Sequence, residues 1–413
     1  MLTEAYHADA RTYAQRRGEN HSAALEAYRE RVRADMVAAK SGHPCPRHLG
    51  VEKVANNVAA KMSDVVAIFD RVHADLADAF QLTLAGNRTK AGRKLAAVVD
   101  AFGLKSDAPD PMDETIWYRG RLDSQDLRPD EMFHIPFAQR FRVENQRFSI
   151  AGWPMLYLGT SVMCVAAELR ILPADVKRLG DLQISSFALR DPNAKFRLLD
   201  LTNGVSRGVE AVEVIYDQVD TTERKDELSA RFLDQIDREF ARVILASHCA
   251  FRNHRSSGKA RFVEEYVLPQ LVLEWAHHDA SLDGVRYLST HLPDARGRGD
   301  LHRTNVALVP QPSHGDYDQK LRERFEVSVA QRSRDAHRVR LDDIDSISRD
   351  LVGRLSTERL GRLVSFAGMR VRTGPVFDMK LSNGSRYADH PLGVLEMSLL
   401  HDVLLARRAR FYA

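Results

Sequence analysis

At residue 115 the pattern of this chain changes, and the change limits the folds open to it. Residues 1–104 hold few clusters of β-branched residues and many Ala, Arg, Lys, Glu and Asp, a composition that favours helices. Val54, Val58, Met62, Val65, Val66, Ile68, Phe69, Val72, Leu76 and Phe80 recur at helical spacing, which lays an apolar stripe along one face. Pro44 and Pro46 in SGHPCPRHLG (41–50) separate that helix from the one before it, because proline has no amide to donate. A second break, GLKSDAPDP (103–111), combines Gly, Asp and two prolines.

Beyond it come short runs of β-formers: IWYR (116–119), MLYLG (155–159), ISSFAL (184–189), FRLLDL (196–201), VRYLST (285–290) and NVALVP (305–310). Helical stretches stand between them at 161–172, 209–219, 228–249 and 263–278. Strands and helices mixed without a regular beat predict an α+β core rather than a doubly wound sheet. Further on, 316–335 and 342–364 read as helices, and 370–393 as a hairpin or loops with a turn at Asn383–Gly384. The expected organisation is a helical region at 1–110, a mixed domain at 111–313 and a C-terminal extension at 314–413.

At 413 residues the chain exceeds one small core, and its 44% apolar and 28% charged residues are those of a folded soluble protein. Sixty basic against 57 acidic side chains leave a charge of +3, so no global field draws it to nucleic acid and no specific nucleic-acid partner is expected. No apolar run reaches the roughly 18–20 residues that span a bilayer, and the polar N-terminus does not read as a secretory leader. The expected home is the cytoplasm. Cys45, Cys164 and Cys249 are odd in number and far apart, which argues against a disulfide framework and a zinc ribbon.

His277 and His278 point to different faces, His248 and His254 flank a loop, and no HExxH or HxxxH with an acidic partner occurs. No metal is therefore expected. Arg16 and His21 share the R-x4-H spacing of HEPN-type ribonucleases, which chance supplies easily in a helix rich in Arg. Neither GxGxxG nor GxxxxGK[ST] is present.

Candidate chemistry gathers in residues 116–170. Arg119, Arg121, Arg128, Arg140, Arg142 and Arg147 crowd one window, and guanidinium groups grip phosphates bidentately. Most have acidic neighbours that would pair them. Arg119 and Arg147 stand beside Trp117, Tyr118, Phe148 and Ile150, at a core edge. Tyr157 could lay its ring on a flat heterocycle, or be a core tyrosine with its hydroxyl at the rim. Glu168, in the apolar helix VMCVAAELRIL, is costly to bury without a partner. It could face an oxocarbenium ion, as carboxylates do in glycoside cleavage, or sit at the polar margin of its helix. Ser289, ending a strand, could donate to a phosphate or ribose oxygen; a lone strand serine is more often inert.

These pieces together resemble the RES domain, named for an arginine, a glutamate and a serine. The resemblance runs through YRGR (118–121), FHIPFAQRFRVENQRFSIAGWPMLYLGTS (133–161), AAELR, EEYVLPQLVLEW (264–275), DGVRYLST (283–290) and TNVALVP (304–310). It covers nearly half the chain, residues 116–310. It implies an ADP-ribosyltransferase-like split mixed sheet with flanking helices, and an enzyme that cleaves the nicotinamide–ribose bond of NAD by phosphorolysis or hydrolysis. It implies a toxin that depletes cellular NAD, held off by an antitoxin or other inhibitory protein. Arg119 and Arg147 would bind phosphates, Tyr157 would stack on nicotinamide, Glu168 would hold the ribose, and Ser289 would support the ribose or phosphate. NAD would be substrate rather than resident cofactor, with inorganic phosphate as a co-substrate. Transfer of ADP-ribose to a protein or nucleic acid is the second reading, and a non-catalytic nucleotide sensor the third. The long extensions and Ala151 beside Gly152, where a proline often precedes the glycine, depart from compact members. A homodimer is the default assembly.

Overall fold

The computed structural model describes residues 20–42, 52–105, 116–171, 175–191, 194–202, 237–238, 240–252, 262–292, 303–312, 315–344, 346–347, 377, 381 and 384–412. Arg16, Cys45, His254, Asn383, the expected helix at 209–219, most of SGHPCPRHLG and of GLKSDAPDP, and the expected helix at 342–364 beyond residue 347 lie outside the described residues. The chain divides into two compact units, one of residues 1–107, 145–150 and 198–285, the other of 108–144, 151–197 and 286–413.

The described long helices of the first unit are α1 (His21–Gly42), α2 (Glu52–Leu84), α3 (Arg88–Ala101), α6 (240–250) and α7 (Val267–His278). Phe69, Val72, Leu76, Ala79 and Phe80 on α2 are buried, as are Leu25, Tyr28 and Val32 on α1 and Ala91, Leu95, Val98 and Val99 on α3. Each set steps by three or four, so each helix turns one apolar stripe inward. Gly86 lets α2 end sharply. Its φ of 76° is the left-handed conformation glycine adopts freely, and Asn87 N–H closes the turn on the Leu82 carbonyl at 2.8 Å. Asn87 then caps α3 by accepting from Lys90 N–H.

Eight strands form one sheet in the order β4-β5-β6-β2-β1-β3-β7, with β8 also on β3. They are β1 (Trp117–Leu122), β2 (Leu156–Gly159), β3 (Leu182–Leu189), β4 (Leu198–Asp200), β5 (Gly284–Leu288), β6 (Thr304–Leu308), β7 (Phe325–Val327) and β8 (Gln331–Arg332). The expected α+β class holds, and all six expected strands are present.

Within the second unit β1 pairs antiparallel with β2 and β3, and β2 with β6. Every residue of β3 is buried, so the sheet is covered on both faces. Two short helices lie between β2 and β3 in the chain, α4 (Val162–Glu168) and α5 (Val176–Asp181). The long helix α9 (Pro391–Tyr412) buries Leu392, Leu395, Met397, Leu399, Leu400 and Leu404 in a core shared with Tyr118, Ile184 and α4. No helix among the described residues is long and apolar enough to cross a membrane.

The stretch 316–335, expected as a helix, is helical only at α8 (Gln319–Glu323); the short strands β7 and β8 follow it, joined by irregular chain. The reason lies in Arg332. Its side chain is 2% exposed and donates to the carbonyls of Asp123 (2.8 Å), Ser124 (3.0 Å) and Gly180 (3.2 Å) and to Asp126 Oδ1 (3.2 Å). A helix could not carry that fork into the loop after β1. Arg332→Met keeps the stem and strands those carbonyls, so it should cost about 3 kcal/mol or more. A urea midpoint that hardly moves would show that the fork contributes little.

Candidate active site

The geometry around Glu168 begins with how α4 is held. Ser161 Oγ accepts from Cys164 N–H at 2.9 Å, an N-cap. Glu396, on α9 and 3% exposed, accepts from Val162 N–H and from the Tyr387 hydroxyl, each at 2.7 Å. Burial pushes the Glu396 carboxyl up to about 7, and these hydrogen bonds oppose the shift. Beneath α4 the sheet carries no side chain at Gly120 or Gly159. A Cβ on Gly120 would lie 2.6 Å from Val165 Cγ1, and one on Gly159 3.0 Å from Val165 Cγ2. Both glycines exist so that the helix can approach the strands.

Glu168 is the last residue of α4. Arg170 takes the left-handed conformation (φ 55°) that a glycine usually fills, and Ile171 N–H bonds back to the Ala166 carbonyl at 2.9 Å. Arg178 donates to the carbonyls of Arg170 (2.8 Å) and Leu169 (3.0 Å). The glutamate thus stands at the negative end of a helix, where a carboxylate is disfavoured. What holds it there is Asn305 on β6, whose amide donates to Glu168 Oε1 at 3.0 Å. The same amide's Oδ1 accepts from the Cys164 thiol at 3.2 Å. Burial, then the Glu168 charge, push that thiol well above its usual range, so Cys164 is a packing residue.

Strand alternation decides which candidates share a face. Tyr118 pairs with Gly159 and Tyr157 with Ala307, and alternate residues share a face. Tyr157 therefore lies on the α4 face with Gly120, Gly159 and Asn305. Arg119 pairs with Ser185 and projects from the other face. Its link to Tyr157 runs through the main chain: Nη1 donates to the Tyr157 carbonyl at 3.2 Å. Arg119 is 9% exposed, and its Nε and the Oγ of Ser185 have no hydrogen-bond partner among the described residues. Burial and then Arg121 lower its pKa to about 9, so it remains charged near neutral pH.

Ser289 lies just past β5 and is 1% exposed. Its N–H donates to the Arg303 carbonyl at 2.7 Å, and its Oγ accepts from His291 N–H at 3.2 Å. Arg147 belongs to the first unit. There it donates to Glu265 Oε1 (3.0 Å) and to the Cys249 carbonyl (2.8 Å), and it lies 5.3 Å from the Tyr266 ring. Glu168 and Tyr157 share a face, Arg119 leaves from the opposite face, and Arg147 sits in a network of its own unit. Asn305, which holds the glutamate, was not singled out in the sequence, although it stands inside TNVALVP.

No family model matches the chain, and no solved structure does. Over 172 residues it is 33% identical to a Bacillus subtilis (strain 168) protein named "Putative toxin YopC". The similarity takes in 40% of this chain and 33% of that protein, so the chain spans about a third of the relative's length.

Proposed function

We propose that the second unit carries the site of a toxin that cleaves the nicotinamide–ribose bond of NAD, by phosphorolysis or hydrolysis. The observation that supports this most is a carboxylate fixed at a helix end by an asparagine amide, with a tyrosine on the same sheet face. Nicotinamide departs as a neutral molecule, so no general acid is required. The protein's task is to stabilise the ribosyl cation, and a fixed carboxylate does that without reorganising. Tyr157 would flank the departing ring. The resemblance to a protein named as a toxin supports the biological setting, and a chain with this activity would require an inhibitory partner.

We give Arg119 a positioning part for β2 in place of the phosphate-binding one that the resemblance implies, because its hydrogen bond reaches the Tyr157 carbonyl. Arg119→Lys should then lower kcat about tenfold with little change in KM for NAD, since a misplaced group costs rate before affinity. A tenfold rise in KM would restore the phosphate-binding role.

The decisive assay follows NAD loss by the purified chain with and without inorganic phosphate. A phosphorylated sugar nucleotide would identify phosphorolysis, and free ADP-ribose hydrolysis. Label retained on a macromolecule would favour ADP-ribosyl transfer. No loss of NAD in either condition would reject the proposal.

A further inference from the structure

His337 and His401 stand 64 positions apart in sequence, yet in the second unit they meet beside Asp402. His337 Nε2 and His401 Nδ1 are 3.3 Å apart, and Asp402 Oδ1 lies 3.7 Å from the first and 3.9 Å from the second. A tetrahedral ion with bonds of about 2.0–2.2 Å holds its ligand atoms about 3.3–3.6 Å from one another. The triangle is within a few tenths of an ångström of that figure.

The surrounding hydrogen bonds turn the correct atoms inward. Ser398 Oγ donates to Gln331 Oε1 at 3.2 Å and contacts His337 Nδ1 at 2.8 Å. A hydroxyl has one proton, so the Nδ1 contact is one in which Ser398 accepts. His337 is then the Nδ1–H tautomer, and the lone pair on Nε2 points into the triangle. Gln331 Nε2 donates to Asp402 Oδ2 at 2.8 Å, which leaves Oδ1 on the triangle side. Outer contacts that fix tautomer and orientation are what metal-binding histidines and carboxylates require. The three side chains are 49%, 20% and 40% exposed, so an ion can enter and a water can complete its coordination.

We propose that His337, His401 and Asp402 bind one divalent transition-metal ion of the zinc type. Two imidazoles and one carboxylate suit zinc, whereas magnesium and calcium favour oxygen-only sets. The ion would fasten α9 to the segment that follows β8. This departs from the expectation of no metal, which rested on local spacing; the first histidine here comes from a different segment than the other pair.

The test is calorimetric titration of the metal-free full chain with Zn2+, with Co2+ absorption as a second readout of tetrahedral coordination. One ion per chain is expected, with His401→Ala and Asp402→Asn each weakening binding about a hundredfold and Ser398→Ala about tenfold. Unchanged far-UV circular dichroism would confirm that the variants fold. Should a ligand variant fail to fold, Ser398→Ala and Gln331→Ala carry the same comparison. Absence of Zn2+ binding by the parent chain, or undiminished binding by the folded variants, would overturn the proposal.

Discussion

Glu168→Gln is expected to slow NAD cleavage about a hundredfold or more, while affinity for NAD changes severalfold at most. Glutamine keeps the shape of the side chain and can still offer a carbonyl to the Asn305 amide, so only the charge is removed. In the proposed mechanism that charge would face the ribosyl cation in the transition state and little of it in the ground state. Glutamate also stands at the C-terminal end of α4, against the helix dipole, and its neutralisation should raise stability by about 0.3–1 kcal/mol. A slower and slightly more stable enzyme is the signature of a group placed for chemistry at the expense of the fold. Steady-state kinetics and a thermal melt on the same preparation would read both. Full turnover by the variant would remove Glu168 from the mechanism.

Mild acid should unfold the first unit. His21, His73 and His248 are buried there among Tyr28, Phe69, Phe80 and Phe251. His73 Nδ1 lies 3.0 Å from His248 Nε2, and His248 Nδ1 lies 2.7 Å from the Ile244 carbonyl. The chain of bonds is satisfied when both rings are neutral, with His73 donating to His248 and His248 to the carbonyl. Desolvation lowers His21 and His73 from 6.5 to about 4 and His248 to about 3. In the unfolded chain the same rings protonate near 6.5. Between those limits the unfolded state binds more protons, so stability is complete above pH 6.5 and falls as pH drops toward 4.

Each histidine contributes a slope of about 1.4 kcal/mol per pH unit, or about 4 for the three. Against a typical total of about 5–15 kcal/mol, two pH units would consume most of the stability. Urea midpoints across this range, for the parent chain and for a His73→Phe/His248→Leu double variant, provide the check. The variant should lose about two thirds of the slope; equal slopes would mean that these rings do not govern acid unfolding. In the second unit Glu396 acts in the opposite direction. Its folded value of about 7 lies above the ordinary 4.5, so its share of stability is present below 4.5 and lost as pH rises through 7.

Sequence patterns reached the strands but not the sheet faces on which the candidate residues stand. IWYR and MLYLG are short apolar runs between breaks, and each folds as a strand. The face each residue takes depends on register, which no local pattern states. That is why Arg119 and Tyr157, both credible in isolation, leave the sheet on opposite sides. The helix α9 went unremarked because its buried positions run almost all the way round, including Glu396 and Ser398, and a stripe is visible only when one face is polar. Phe325–Val327 looked helical because charged neighbours masked a strand that pairs with Phe187–Leu189. Asn305 carried no signal beyond its place in a recognised block.

The hydrogen bond from Val162 to Glu396 spans 234 positions of chain. During synthesis the helix that bears Glu168 is therefore made long before the carboxylate that closes its first turn. Until residue 396 has left the ribosome, the buried amide of Val162 has no protein acceptor at that place and α4 lacks its anchor. With the activity proposed above, that order of events would keep the nascent chain harmless until an inhibitor had a finished surface to recognise.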